Sequence, residues 1–157
     1  MEKLNHRDRE QLIQTRAACV CHNLRRSARA VTRFYDEALA PAHLPANQMA
    51  ILVGIAIADR PTISALARDM AMDPSTLSRN LHPLEREGLI QVKAKSKERR
   101  KHLSVTAKGM KRIKQALPLW AKAQAKLAER MKAGQCEGVV ADLAAITSHA
   151  QALAEPA

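Results

Sequence analysis

Polar and basic side chains on one face of a predicted helix are the residues of this sequence best suited to chemistry. Leucines recur at intervals of four and three, which places Leu77, Leu81 and Leu84 on one side of that helix. The opposite side carries Ser75, Ser78, Arg79, His82 and Arg86. A guanidinium can bond O6 and N7 of guanine together, and serine hydroxyls can bond bases or phosphates. This face is therefore suited to the major groove of a nucleic-acid duplex.

A run of charge follows the predicted helix. The nine residues from Lys93 to Lys101 (KAKSKERRK) include six cations and one acid, Glu98. Alternating residues typical of short strands flank the run, at Leu89–Val92 and Leu103–Val105. A basic run by itself is most often a solvated surface, but its place on a hairpin directly after a helix pair favours contact with DNA phosphates. The sequence therefore predicts binding of double-stranded DNA.

The composition agrees with an anionic partner. The chain has 157 residues, enough for one well-buried domain, and its 26 Lys and Arg against 15 Asp and Glu give a net charge of +11. Residues 60–112 carry thirteen of the cations and five of the acids, so +8 of this charge lies around the predicted helix and hairpin. The three aromatic residues are Phe34, Tyr35 and Trp120, too few for single-strand modules that stack bases on rings.

Several other classes of protein are disfavoured. No run of eighteen apolar residues is present, so we expect no membrane segment, and the first residues lack the apolar core of a signal peptide. We therefore expect a cytoplasmic protein with free thiols at its three cysteines. The sequence contains no glycine-rich phosphate loop, zinc-spaced cysteine pairs or nucleophile motif. It predicts a protein that is not an enzyme and has no cofactor and no metal.

The elements predicted to position these residues are six helices and one two-stranded hairpin. A long helix spans Arg9–Leu39, where neither Pro nor Gly interrupts an apolar stripe. A largely apolar helix spans Asn47–Ala58, and Thr62 caps a short helix over Ile63–Ala71. The remaining predicted helices are Pro74–Glu87, Ala107–Met131 and Glu137–Leu153. Two short helices joined by a tight turn and followed by a hairpin have the order of a winged helix-turn-helix.

The residues of this module resemble the MarR family of bacterial transcriptional regulators. The resemblance is carried by Thr62–Ala67, Met72–Arg79, Leu84–Ile90, Arg99 and Leu103–Gly109. It implies a mainly α winged helix-turn-helix homodimer, a single domain over 1–157 with a DNA-binding lobe at 47–106 and dimerisation helices at 9–39 and 107–154. It also implies a repressor that binds a pseudo-palindromic operator and is released by a small-molecule effector or an oxidant.

The resemblance also implies roles for individual residues. Ser75, Thr76, Ser78 and Arg79 match the recognition-helix positions, and Arg99 matches a wing arginine that enters the minor groove. The family usually has an acidic residue two places before that arginine, where this chain has Lys97. The complete predicted DNA-binding set is Ser75, Thr76, Ser78, Arg79, His82, Lys95, Lys97, Arg99 and Arg100. A non-specific architectural DNA-binding protein is the alternative, although such a protein has no need of a major-groove reader.

Two further sets of residues have competing interpretations. Arg25, Tyr35 and Trp120 are candidates for an effector pocket, but the two rings also lie on apolar stripes typical of a core. Cys19 and Cys21 are candidates for a redox sensor, with structural thiols as the alternative. On an unbroken helix these two side chains point about 200° apart, so the pair does not predict a metal site.

Overall fold

The computed structural model describes residues 4–94 and 101–154. Its helices are α1 (His6–Ala18), α2 (Val20–Leu39), α3 (Ala46–Ile57), α4 (Ile63–Asp69), α5 (Pro74–Arg86), α6 (Ala107–Glu129) and α7 (Gln135–Ala154). Strands β1 (Ile90–Ala94) and β2 (Lys101–Val105) form an antiparallel pair, and a 3-10 turn at Ala40–Ala42 connects α2 to α3. The predicted mainly α winged helix-turn-helix is confirmed.

The predicted single helix over Arg9–Leu39 is wrong, because the chain leaves helical geometry at Cys19. This residue has an extended backbone, with φ −71° and ψ 110°, and the N–H of His22 donates to its Sγ at 3.4 Å. The side-chain amide of Asn23 donates to the carbonyls of Ala17 and Cys19 at 3.0 and 2.9 Å. These side chains provide partners for one backbone N–H and two carbonyls at the point where the helix is interrupted. Because of this break, the described residues contain seven α-helices rather than six.

Side-chain caps begin α4 and α5, as the sequence predicts. The Thr62 hydroxyl accepts the N–H of Ala65 at 3.2 Å to start α4, and the Asp73 carboxylate accepts the N–H of Thr76 at 3.1 Å to start α5. The helix α5 ends before Gly88, whose φ of +70° glycine adopts without strain. The α4–α5 pair therefore has the boundaries that a helix-turn-helix needs.

The core of the module forms around α3. Four side chains of this helix are buried: Met49, Ile51, Leu52 and Ile55. The leucine stripe of α5 (Leu77, Leu81 and Leu84) is buried in the same cluster, together with Leu89 and Leu103 of the hairpin region. Because one side of α5 is held in this core, its polar side is left at the surface.

The first and last helices lie outside this core. Neither α1 nor α7 contains a buried residue, although α7 exposes the large apolar side chains Val139, Val140, Leu143, Ile146 and Leu153. Among the described residues, no single helix is both long and apolar enough to cross a membrane, although the stretches 20–42 and 46–57, bent by 75°, pass that test when taken together.

Two positions of α3, one buried and one exposed, offer a matched test of this core. Leu52 is fully buried and Ile57 is 80% exposed. We expect Leu52→Ala to lower the free energy of unfolding by about 2–5 kcal/mol because it leaves a cavity. Ile57→Ala is expected to change it by less than about 0.5 kcal/mol. Urea denaturation of both variants measures the difference, and equal losses would contradict this packing.

Candidate nucleic-acid interface

The exposed side of α5 brings the predicted base-contacting residues together. Ser75, Arg79 and His82 are exposed, and Thr76 and Ser78 are half-buried. They begin at the first turn of the helix, where backbone N–H groups and the positive end of the helix dipole also lie. The structure therefore presents hydroxyls, a guanidinium and an imidazole on a single surface.

A hydrogen-bond network organises the N-terminal turn of α5. Oδ1 of Asp73 accepts from the Ser75 hydroxyl at 2.5 Å, and Oδ2 accepts from the Thr76 hydroxyl at 2.7 Å. The Thr76 hydroxyl oxygen in turn accepts from Nη2 of Arg79 at 3.0 Å. Sequence reasoning identified Asp73 only as a cap and missed this network, although an acid followed two and three residues later by hydroxyls is its signal. Three predicted DNA-binding residues are thus pre-positioned by one carboxylate.

The network keeps Asp73 ionised. Hydrogen bonds, first from Ser75 and then from Thr76, lower the pKa of the Asp73 carboxyl to about 2. At neutral pH the Ser75 and Thr76 hydroxyls therefore donate to a carboxylate. Arg79 remains the cation of this turn.

The hairpin forms the wing next to α5. Its register pairs Val92 with Leu103 and Lys93 with His102. The predicted contact residues Lys95, Lys97, Arg99 and Arg100 lie outside the described residues, so their positions stay predictions.

Strand β2 of the wing is hydrogen-bonded to the turn between α3 and α4. The N–H of Leu103 donates to the Pro61 carbonyl at 2.9 Å, and Nδ1 of His102 lies 2.9 Å from the Arg60 carbonyl. Arg60 and Asp59 have left-handed backbones, with φ of 68° and 41°. The resulting cleft is lined by Asp59, Arg60, Gln91, Lys93, His102, Leu103 and Ser104. Sequence reasoning did not include Arg60 or Lys93 among the contact residues, because only the fold brings them to the same cleft.

Comparisons with known proteins agree with this geometry. The model of the MarR family matches residues 44–102. The M. tuberculosis transcriptional regulator MosR is 33% identical, with 87% of this chain and 98% of that chain covered and a TM-score of 0.76. Its structure in complex with DNA is 34% identical, with 87% and 99% covered and a TM-score of 0.79. The chain belongs to the MarR family of transcriptional regulators.

A more distant structure shares the MarR fold. The transcriptional repressor CouR, solved with p-coumaroyl-CoA bound, is 20% identical, with 84% of this chain and 94% of that chain covered and a TM-score of 0.75. No curated protein matches the sequence at a significant level.

The three predicted effector residues of this MarR protein differ in their burial and contacts. Tyr35 is half-buried and donates to Oε1 of Gln124, whose amide donates to Sγ of Cys136 at 3.3 Å. Burial, and secondarily Cys136, raise the pKa of Tyr35 above its ordinary value. Trp120 is 41% exposed, and Arg25 is exposed on α2. A cleft between α2 and α6 is lined by Phe34, Glu37, Ala38, Leu119, Lys122, Ala123 and Lys126.

The cysteine pair occupies the break between α1 and α2. Cys19 is half-buried, Cys21 is exposed, and both are free thiols. The angle of about 200° between these two side chains holds only for an unbroken helix. It does not apply here, because Cys19 has an extended backbone. Across residues 4–94 and 101–154, no group of three or more His, Cys, Asp or Glu side chains is arranged to hold a metal ion.

The titration of Asp73 tests the network. We expect its carboxyl to titrate near pH 2 by NMR, and Ser75→Ala to raise that midpoint because the strongest hydrogen bond is lost. Ser78→Ala, one turn further along α5, is the control and should leave the midpoint unchanged. A depressed folded-state pKa contributes stability above the unfolded-state value of about 3.9, and this stability is lost as the pH falls from there towards 2. A wild-type midpoint near 3.9 would contradict the network.

Proposed function

We propose that this MarR protein is a sequence-specific regulator of transcription that binds a pseudo-palindromic DNA duplex as a homodimer. The observation that carries the proposal is the polar face of α5, with Ser75, Thr76 and Arg79 organised at its N-terminal turn beside the wing. The DNA complex of MosR, at 34% identity, supports the same use of this module.

Each part of the module contributes a different component of binding. Arg79 supplies direct readout through a bidentate contact to guanine, for which the Thr76 hydroxyl already orients its guanidinium. Arg99 supplies a minor-groove contact that senses groove width. The six cations between Lys93 and Lys101 supply the attraction to phosphates that is independent of sequence.

Homodimerisation follows from the surface of the outer helices. The described residues of α7 expose apolar side chains along its whole length, and α1 has no buried residue. A contiguous apolar surface of this kind in water marks an interaction site. Two copies joined through α1, α2, α6 and α7 bury it and place two α5 helices for half-sites about 34–36 Å apart.

We further propose that the regulator is a repressor that a small ligand releases from DNA. The cleft between α2 and α6 is lined by the apolar side chains of Phe34 and Leu119 and by two ammonium groups, those of Lys122 and Lys126, against one carboxylate, that of Glu37. These groups suit a small aromatic compound that carries an anionic group. The CouR complex with p-coumaroyl-CoA supports an aromatic acid derivative as the ligand class.

Two arginine variants test DNA reading. We expect Arg79→Ala to weaken binding to the preferred duplex by about 1–3 kcal/mol and to random duplexes by much less, because a base contact is lost. Arg99→Ala should weaken both and reduce the salt slope by about one. Fluorescence anisotropy between 50 and 200 mM salt measures both effects.

Arg130→Ala is the matched control, because this exposed arginine lies at the far end of α6. Its affinity should equal that of the wild type. Equal affinity of the wild type for every duplex would overturn sequence-specific reading and favour a non-specific architectural protein.

Redox sensing by Cys19 and Cys21 is a second candidate, favoured by the break in the helix. A peroxide would oxidise the two thiols to a disulfide, each thiol giving up a proton and an electron, while the peroxide is reduced to water. The Cys19 Sγ that accepts the His22 N–H at the start of α2 would then be bonded to the sulfur of Cys21. Oxidation would thereby alter a helix of the proposed dimer interface.

The paired variant Cys19→Ser/Cys21→Ser tests redox sensing. Serine is a favourable cap, so α2 should still begin at the same place. We expect peroxide to release wild-type protein and the Cys136→Ser control from DNA, and a thiol reductant to restore binding. The paired variant should stay bound. Release of the paired variant at the wild-type peroxide concentration would exclude these two thiols as the sensor.

A further inference from the structure

The first turn of α6 is hydrogen-bonded to the three residues that follow the recognition helix α5. The last carbonyls of α5 itself, at Pro83, Leu84 and Glu85, accept from the N–H groups of this same turn. Here the Lys108 ammonium donates to the Glu87 carbonyl at 2.7 Å, and the Thr106 hydroxyl donates to the Gly88 carbonyl at 2.7 Å. The backbone N–H of Thr106 donates to the Leu89 carbonyl at 3.0 Å. Three consecutive carbonyls after α5 are thus satisfied by the residues that begin α6.

The contact between α6 and this turn leaves no room for a side chain at Gly109. A Cβ atom on Gly109 would lie 2.1 Å from the Leu89 carbonyl oxygen and 2.8 Å from Cγ1 of Val105. The absence of a side chain at this position allows the α6 backbone to lie directly against the turn. The end of α5 and the start of α6 therefore form one closely packed joint.

Arg112 extends the joint to a third element. Its side chain is 20% exposed, its Nη1 donates to the His43 carbonyl at 2.8 Å, and the same atom lies 3.9 Å from Oε2 of Glu87. His43 has a left-handed backbone, with φ of 48°, in the connection between α2 and α3. One guanidinium therefore ties α6 to both the end of α5 and the entrance to α3.

We propose that Arg112 and Lys108 are positioning residues that set the distance between the two recognition helices of the dimer. The inference rests on the proposed function, because it requires α6 to belong to the dimer interface and α5 to read DNA. A rotation at the joint moves α5 relative to the partner's recognition helix, and one base pair corresponds to only about 3.4 Å. The two side chains thus determine half-site spacing without touching DNA.

The test uses full-length protein and a palindromic duplex selected by the wild type from random sequences. Affinity is measured by anisotropy for this duplex, for duplexes with one base pair added or removed between half-sites, and for a single half-site. The variants are Arg112→Met and Lys108→Met, with Arg112→Lys as the conservative replacement and Lys114→Met as the control. Lys114 is an exposed lysine of the same helix. Thermal melting shows which variants are folded.

We expect Arg112→Met to reduce the preference for the selected spacing by about tenfold, the effect of one charged hydrogen bond. Lys108→Met should also reduce this preference. If Arg112→Met does not fold, the folded Lys108→Met variant tests the proposal. Binding to a single half-site should stay within about twofold of the wild type, because the reading surface is intact. Arg112→Lys should recover part of the preference, and Lys114→Met should match the wild type.

An unchanged spacing preference in folded Arg112→Met and Lys108→Met would overturn the inference. An equal loss on the single half-site would also overturn it, because these residues would then act on the reading surface itself. If the wild type shows no preference for any duplex or spacing, the proposed function fails instead. This result concerns the wild type and is therefore distinct from the two results for the variants.

Discussion

The polar surface of α5 depends on the burial of its other side. Leu77 and Leu84 are completely buried against the core formed by α3 and the hairpin. Each such side chain contributes about 1.5–3 kcal/mol of burial energy, so rotating the helix would expose this apolar surface to water. This constraint fixes which residues of α5 face outward, and the cap at Asp73 fixes where they begin. The helix α3 and the hairpin complete this core, whereas α1 and α7 contribute no buried side chain to it.

Much of the winged module can be predicted from sequence because its signals are local. The caps at Thr62 and Asp73, the leucine spacing of α5 and the alternation of the strands each act within a few residues. The break at Cys19 was missed because it depends on side-chain bonds from Asn23 and a thiol, which are weak signals against an uninterrupted helical pattern. The joint of α6 was also missed, since Arg112 reaches a carbonyl 69 positions away in sequence.

In the candidate site, too, only the features with local sequence signals can be predicted. The exposed residues of α5 follow from helical spacing, and the structure confirms their common face. The bonds that join Asp73 to Ser75 and Thr76 require side-chain conformations that spacing alone does not determine. The cleft that contains Arg60 and Lys93 is formed by residues more than thirty positions apart, so no local pattern indicates it. Prediction was successful where periodicity decides and incomplete where the fold brings distant residues together.

The separation of α1 from α2 has a consequence for the order of assembly. Because α1 packs no side chain into the core and is followed by a break, its helical structure gains little from the folding of its own chain. In the proposed dimer, a second chain supplies that packing, so the ordering of α1 is coupled to association. Amide protection in α1 and α7 should then depend on protein concentration, whereas protection in α3 and α5 reports on the winged module alone.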